Sequence, residues 1–173
     1  SKFATLIRLN LKASNNETIF LSDEIALLNL YLELEKLRFK NKFDYRLLIQ
    51  LEENLIEKIK LPPMLIQPII ENAILHGVAN IESKGQIDIM INNDSISQKL
   101  KVSVIDNGNG ISNKSSSLHQ SMGSKITKKR LELISQNEKD NFKLSNIVNA
   151  ENNIIGARAE LIIKYNIIKS NEP

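Results

Sequence analysis

An acid, an amide and an imidazole lie close together in one short segment, residues 70–77, which reads IENAILHG. Asn72 and His76 are one helical turn apart, which places them on the same face of a helix. An amide oxygen suits Mg²⁺, a hard ion that commonly binds one or two protein groups together with substrate phosphates. Glu71 could accept a proton or orient a nucleophile beside such an ion. The alternative is that the three side chains only cap the helix or pair locally, since single motif matches have a false-positive risk.

A second segment, residues 106–111, reads DNGNGI and follows an apolar run. Asp106 lies where a strand would leave its sheet, and its carboxylate could accept a hydrogen bond from the exocyclic amine of adenine. Gly108 and Gly110 would let the backbone turn sharply and approach a flat ring without an intervening Cβ atom. An ordinary Asp-Asn-Gly turn explains the same residues without a ligand. Taken together with the first segment, this one indicates an ATP site.

A third segment, residues 121–125, reads SMGSK and leads from a polar loop into a helical pattern. Backbone amides at a helix start attract anions, and a glycine lets phosphates come close. Lys125 could add a positive point charge. The plain alternative is a capped helix with a solvated lysine, and a single glycine favours that alternative when the segment is taken alone.

The elements that would position these segments alternate between helices and strands. Apolar spacing typical of helices occurs in residues 3–13, 22–38, 64–78 and 126–136. In the second helix Ser22 is predicted to be the N-cap, with Glu24 placed favourably near the positive end of the dipole. Alternation with a period of two predicts strands over residues 43–50, 86–92, 99–106, 142–148 and 154–165, with a short extended piece at 56–61. Residues 107–120 have no apolar period and are predicted to be a long loop.

Length and composition are those of an ordinary soluble globular chain. The 173 residues fit one domain, or one domain with a helical extension, and the hydrophobic and charged fractions are 42% and 25%. The absence of cysteine excludes disulfides and thiol redox chemistry. A net charge of +3 with scattered lysines argues against nucleic acid as a partner. No apolar run approaches the roughly 18 residues that span a bilayer, so we expect the chain to be soluble.

The order of the three segments resembles that of the GHKL ATPases, the class of gyrase, histidine kinases and mismatch-repair ATPases, whose N, G1 and G2 boxes and ATP lid follow one another in this way. The resemblance narrows further. Residues 31–39, YLELEKLRF, and residues 61–68, LPPMLIQP, which lead directly into Glu71 and Asn72, are similar to the LytS-like branch of sensor histidine kinases. The resemblance covers nearly the whole chain, from about Leu6 to Tyr165.

This resemblance implies an α/β fold, a two-layer sandwich in which a mixed sheet carries helices on one face, preceded by two N-terminal helices. It is the GHKL, or Bergerat, ATP-binding fold. Residues 1–40 would be the C-terminal remnant of a helical dimerisation and phosphoacceptor region, and residues 41–170 would be the ATP-binding catalytic domain.

The same resemblance implies a protein-histidine kinase that binds ATP and Mg²⁺. Asn72 would hold Mg²⁺ on the phosphates, Glu71 would help to activate the accepting histidine, and Asp106 would bind the adenine amine. Gly108 and Gly110 would shape the adenine pocket. The remaining expected nucleotide contacts are Ala73, His76, Ile111, Met122, Gly123, Ser124 and Lys125.

The resemblance also implies partners and a location. The phosphate would pass to an aspartate on a response regulator receiver domain, and the full-length protein would be a homodimer. That protein would be anchored in the membrane with this part on the cytoplasmic side, and no nucleic-acid partner is expected.

The chain departs from the usual pattern of the branch at several positions. The second glycine box has Ser121 and Ser124 around Gly123, where the family usually has Gly-x-Gly-Leu, and Ala157 stands where threonine is usual. The accepting histidine of the branch stands in a Pro-His-Phe-x-x-Asn context, which neither His76 nor His119 has.

The chain begins in what reads as the middle of a helix, so we expect it to be a piece of a longer protein. The accepting histidine is expected to lie before Ser1, and the chain should bind ATP but not phosphorylate itself. Two alternatives remain open. One is a GHKL ATPase in which Glu71 activates water, and the other is a degenerate module that binds no nucleotide and only docks partners.

Overall fold

The computed structural model describes residues 1–111 and 142–167. Its larger sheet contains β2 (Phe43–Gln50), β4 (Gly85–Asp94), β5 (Lys99–Asp106), β6 (Phe142–Val148) and β7 (Ile154–Lys164). The strand order is β2-β4-β5-β7-β6, with β2 and β4 parallel and the other neighbours antiparallel. The sheet is therefore mixed, and the predicted strands and the β4-β5 hairpin are confirmed.

Four helices accompany the sheet in the described residues: α1 (Lys2–Ser14), α2 (Leu21–Arg38), α3 (Glu53–Ile56) and α4 (Gln67–Asn72), the last continuing as a π-helical turn (Ala73–Val78). Three short strands, β1 (Ile19–Phe20), β3 (Ile59–Leu61) and β8 (Asn166–Ile167), form a second, small sheet in the order β1-β3-β8. None of the helices in residues 1–111 and 142–167 combines the length and the apolar content needed to cross a bilayer.

Alternating isoleucines make one face of β4 apolar. Ile87, Ile89 and Ile91 are fully buried, because successive side chains of a strand point to opposite faces and these three point to the same one. Ile70 of α4 and Ile74 of the π-helical turn are fully buried as well, and the turn contacts β4, β5 and β7. This helical layer on the apolar face of the sheet is the predicted two-layer arrangement.

The opposite face of the sheet carries charged pairs. Arg46 of β2 donates from Nε and Nη2 to the carboxylate of Asp88 on β4, at 2.7 and 2.5 Å. Lys101 of β5 pairs with Glu160 of β7 at 2.9 Å. Solvent-exposed pairs of this kind typically contribute about 0–1 kcal/mol each, so the apolar face dominates the stability of the sheet.

The start of α2 differs from the prediction. The helix begins at Leu21, and its N-cap position is Phe20, whose side chain makes no capping hydrogen bond. The prediction that Ser22 caps this helix is therefore wrong. Pairing of β1 with β3 holds the chain extended as far as Phe20, so that Ser22 already lies in the first helical turn.

The helix predicted over residues 64–78 begins later, at Gln67. Met64 has a φ of 58°, a left-handed conformation that excludes this residue from a right-handed α-helix. The hydrogen bonding then changes from α to π at Ala73. A helix does run through Asn72, as predicted, but the predicted start at Met64 is wrong and the change to π geometry was not predicted.

Two other predicted segments are only partly accounted for. The extended piece expected at 56–61 is shortened to β3, because Glu53–Ile56 forms a helical turn. Only residues 107–111 of the predicted loop are described, and the helix predicted over 126–136 lies outside the described residues.

Candidate functional site

A buried carboxylate ends the central strand of the sheet. Asp106 pairs in register with Ile87 of β4 and Ala157 of β7, and only 6% of the residue is exposed. Its Oδ1 accepts a hydrogen bond from the Gly108 amide at 2.9 Å. Burial raises the pKa of Asp106, while hydrogen bonds from the Gly108 and Ala157 amides lower it. An ionised carboxylate has about four acceptor positions, so capacity remains for a ligand donor.

Gly77, in the π-helical turn, lies directly against this carboxylate. A Cβ atom at position 77 would lie 2.6 Å from Asp106 Cγ and 2.7 Å from its Oδ1, closer than real Cβ atoms come to other atoms. A Cβ atom at position 108 would collide with the Gly77 carbonyl group. The two glycines therefore let the end of the helix and the end of β5 approach until their backbones touch. The predicted site included Gly108 but not Gly77, although Gly77 closes the first motif of the sequence.

We expect Gly77→Ala to displace the Asp106 carboxylate and to lower the free energy of unfolding by about 1–3 kcal/mol, the usual cost of overpacking. The measurements are urea denaturation and the pKa of Asp106 followed by carboxyl NMR. Gly85→Ala is the matched control, because its Cβ would meet Val78 and Phe43 instead of the carboxylate. An unchanged pKa of Asp106 in Gly77→Ala would contradict the contact.

Asn107 attaches the loop after β5 to the start of β4. Its Oδ1 accepts from the Gln86 amide at 2.7 Å, and its Nδ2 donates to the Lys84 carbonyl oxygen at 3.1 Å. The Asn107 amide also donates to the Gln86 carbonyl oxygen at 3.2 Å. The side chain thus fixes the first residue of the loop, a role that the sequence did not indicate.

The far end of the described loop is held by β6. The Ile111 amide donates to Asn146 Oδ1 at 2.6 Å. Gly110 has a φ of 73°, and a side chain there would collide with Ile154 of β7. The backbone that follows Asp106 and contains the predicted pocket residues Gly108, Gly110 and Ile111 is therefore held by contacts with β6 and β7.

The remaining predicted residues of the first motif lie where α4 changes to the π-helical turn. Glu71 and Asn72 are half-buried, Ala73 is buried and His76 is exposed. Local π-helical geometry inside a helix occurs frequently at functional sites. Because Gly77 of the same turn contacts Asp106, the structure joins the segment of Asn72 to the segment of Asp106.

Tyr31 of α2 lies in the electrostatic neighbourhood of Glu71. Burial of the hydroxyl and the charges of Glu35 and Glu71 raise the pKa of Tyr31, whereas Arg38 lowers it. Glu35 itself accepts from Arg38 Nη1 at 3.1 Å. The charge of Glu71 therefore influences a residue of α2, in the N-terminal helical part of the chain.

A metal ion at this site would need a bound nucleotide to complete its coordination shell. Residues 1–111 and 142–167 contain no group of three or more histidine, aspartate or glutamate side chains that could hold an ion. The single amide of Asn72 fits Mg²⁺ when phosphate oxygens complete the shell, which is how this ion commonly binds. The predicted lid contacts Met122, Gly123, Ser124 and Lys125 lie outside the described residues.

Comparison with known sequences finds a matching family model and similar proteins. A family model described as histidine kinase matches residues 1–43. The chain is 33% identical over 111 residues to YwpD of Bacillus subtilis, an alignment that covers 64% of this chain and 38% of that protein. It is 33% identical over 105 residues to the sensor histidine kinase/phosphatase LytS of Staphylococcus aureus, covering 61% of this chain and 17% of LytS. The chain therefore spans well under half the length of these relatives.

Solved structures of histidine kinases share the fold. The histidine kinase domain of a blue-light activated kinase from Erythrobacter litoralis matches with a TM-score of 0.62 at 14% identity, over 94% of this chain and 73% of that one. The nucleotide-free catalytic domain of histidine kinase ThkA matches with a TM-score of 0.56 at 16% identity, over 85% and 94% of the two chains. ThkA in complex with the response regulator TrrA matches with a TM-score of 0.53 at 16% identity, over 93% and 46%.

Proposed function

The chain is homologous to sensor histidine kinases of the LytS-like branch and has the fold of histidine kinase catalytic domains, and on this premise we propose that it binds ATP with Mg²⁺ and presents the γ-phosphate to a histidine. In this proposal residues 41–170 are the catalytic domain, and residues 1–40 are the end of a helical dimerisation region. The observation that carries the proposal is the contact of Gly77 with the buried carboxylate of Asp106, which brings the first two motifs together.

Asp106 is the proposed adenine-binding residue. Its carboxylate is buried at the end of β5 and retains acceptor capacity, which suits the exocyclic amine of adenine. Gly77 and Gly108 leave no side chain between this carboxylate and the helix. Gly110 and Ile111, which follow along the chain, would form part of the wall of the proposed adenine pocket. Buried polar groups that a ligand must satisfy also give discrimination against ligands lacking the matching donor.

The proposed phosphate end of the site lies along α4 and the π-helical turn. Asn72 would ligate Mg²⁺, and Ala73 and His76 would border the nucleotide, with Met122, Gly123, Ser124 and Lys125 contacting the phosphates from the lid. Bound Mg²⁺ supplies charge neutralisation on the phosphates, and phosphoryl transfer otherwise needs mainly positioning from the protein. Glu71, half-buried beside Asn72, is the proposed base that takes the proton of the attacking histidine.

The proposal extends to partners by homology alone. The phosphate would pass to a response regulator receiver domain, and the full-length protein would act as a homodimer with a membrane anchor and its catalytic part on the cytoplasmic side. The accepting histidine is proposed to lie before Ser1, since His76 and His119 stand in other sequence contexts.

Calorimetric titration of the chain with ATP, in the presence and absence of Mg²⁺, tests the proposal directly. We expect saturable binding with one nucleotide per chain and higher affinity when Mg²⁺ is present. A chain that takes up no nucleotide under either condition would instead be a degenerate docking module.

Asn72→Ala is expected to weaken ATP binding on the order of tenfold when Mg²⁺ is present and to leave the metal-free affinity unchanged. The reason is that the variant removes the proposed metal ligand but removes no contact with the adenine ring of ATP. Asn80→Ala, an exposed position just after the π-helical turn, serves as the control. Equal losses of affinity with and without Mg²⁺ would exclude Asn72 as the ligand.

A further inference from the structure

A fully buried acid on α2 contacts the chain just before α4. Glu24 is 1% exposed. Its Oε2 accepts from the Met64 amide at 3.1 Å and its Oε1 accepts from the Ile66 amide at 3.4 Å. Burial raises the pKa of Glu24, and hydrogen bonds from the amides of Met64, Ile66 and Leu65 lower it. One carboxylate thus accepts hydrogen bonds from several backbone amides of a segment that lies 40 residues away in the sequence.

The conformation of Met64 explains how these amides converge. Its φ of 58° is left-handed, which costs free energy in any residue other than glycine. A left-handed residue next to right-handed ones turns successive N–H groups toward one point and forms a concave anion site, or nest. Glu24 supplies the anion, so the carboxylate and the strained turn stabilise each other.

A second link joins the same two regions. β1, which immediately precedes α2, pairs antiparallel with β3, which immediately precedes the turn, in the register Ile19↔Leu61 and Phe20↔Lys60. Lys60 Nζ also lies 4.9 Å from the centre of the Phe20 ring. The start of α2 is therefore fixed to both sides of Pro62 and Pro63, by main-chain pairing before them and by Glu24 after them.

We propose that Glu24 is a positioning residue for the candidate site: by holding the 64–66 turn it fixes the start of α4, and with it Glu71 and Asn72, relative to α2. α4 begins at Gln67, directly after the turn, and ends at Asn72. A displacement of α2 is thereby transmitted to the helix that carries the proposed metal ligand. The functional consequence rests on the proposed function, whereas the structural link can be tested without nucleotide.

Glu24→Gln tests the structural link, because it keeps the shape of the side chain but replaces one acceptor oxygen by a donor. We expect amide hydrogen exchange at Met64, Leu65 and Ile66 to accelerate on the order of tenfold, as a charge-assisted hydrogen bond is lost. The side-chain amide resonance of Asn72 should shift as well. Glu35→Gln, a second buried acid on α2 whose hydrogen bonds go to Arg38, should leave exchange at 64–66 unchanged.

Met64→Gly provides a rescue that a merely structural role would not predict. Glycine adopts a positive φ without the steric cost, so the turn needs less help from the carboxylate. In the double variant Glu24→Gln, Met64→Gly, exchange at Leu65 and Ile66 should slow again and the Asn72 resonance should return toward its position in the parent. Uniform acceleration over all elements in Glu24→Gln, or an unmoved Asn72 resonance, would overturn the proposal.

If Glu24→Gln does not fold, Glu24→Asp, which has a shorter side chain, provides the test instead. Glu24→Asp keeps the charge but withdraws it from the turn, so we expect a smaller acceleration confined to the same three amides. Unchanged exchange there in Glu24→Asp would overturn the proposal equally.

Nucleotide affinity separates this inference from the proposed function. If the parent binds ATP with Mg²⁺, Glu24→Gln should lower the affinity about three- to tenfold, the range of one weakened interaction, and the double variant should restore it. A parent that binds no ATP defeats the proposed function and leaves the exchange data to decide the role of Glu24. Unperturbed exchange and affinity in Glu24→Gln defeat the role of Glu24 alone.

Discussion

Asp106→Asn is expected to weaken ATP binding about 10- to 100-fold, because a hydrogen bond to a charged group contributes about 1.5–3 kcal/mol and each 1.4 kcal/mol is tenfold in affinity. The substitution is isosteric and keeps an oxygen for the Gly108 amide, which donates to Asp106 Oδ1. It removes the charge and can turn an amide donor toward the donor of adenine. With a donor in place of an acceptor, the amide of the new side chain and the amine of adenine are both left without a partner in the complex. The substitution therefore lowers the affinity for ATP rather than the stability of the fold.

Calorimetric titration with ATP and Mg²⁺ measures this loss, with Asp88→Asn as the control. Asp88 is also a sheet aspartate, but it lies on the opposite face of the sheet and pairs with Arg46. We expect its substitution to leave the affinity for ATP within experimental error of the parent. An Asp106→Asn chain that binds ATP as tightly as the parent would remove Asp106 from the nucleotide site.

The same variant reports on the burial of Asp106 without any ligand. Because burial raises the pKa of Asp106 in the folded chain, the native state holds its proton to a higher pH than the unfolded state does. The ionised carboxylate therefore lowers stability as the pH rises through the window that starts near the ordinary aspartate pKa. Relative to the parent, Asp106→Asn should gain stability over that window, measured as urea midpoints at several pH values.

Periodic strands are predictable because their signal is long and regular. β4 and β5 alternate over many residues, and this pattern alone places Asp106 at a strand end. The contact of Gly77 with Asp106 is not predictable, since it depends on how closely two distant segments approach. Spacing along the chain contains no information about that distance.

The starts of α2 and of α4, the helix that carries Asn72, could not be predicted for a related reason. β1 has two residues, too few for any periodic signal, yet its pairing determines where α2 begins. Met64 adopts a left-handed conformation that no composition rule predicts for methionine, and it does so beside the Glu24 carboxylate. The sequence indicates for Glu24 only a favourable place near its own helix dipole, because its hydrogen-bond partners lie 40 residues away or more.

Glu71→Gln is expected to lower the rate of phosphohistidine formation by about 10²–10⁴, the usual contribution of a general base. The proposed base lies beside Asn72 at the point where α4 becomes π-helical, and it is half-buried, so its substitution leaves the adenine end of the site untouched. ATP affinity should therefore change less than about threefold, because the lost interaction is made in the transition state rather than with bound substrate. The rate is measured as label transferred from the γ-phosphate in a protein that contains both this chain and the accepting histidine.

Glu82→Gln, an exposed acid shortly after the π-helical turn, is the control and should retain the parent rate. The two reactions open to a base at position 71 can be told apart in the same assay, because a base that serves histidine yields labelled protein, whereas a base that serves water yields free phosphate. If the parent releases phosphate without labelling histidine and Glu71→Gln abolishes that release, the chain is a GHKL ATPase. If Glu71→Gln transfers phosphate to histidine as fast as the parent, Glu71 is not the base and the histidine must lose its proton to another group.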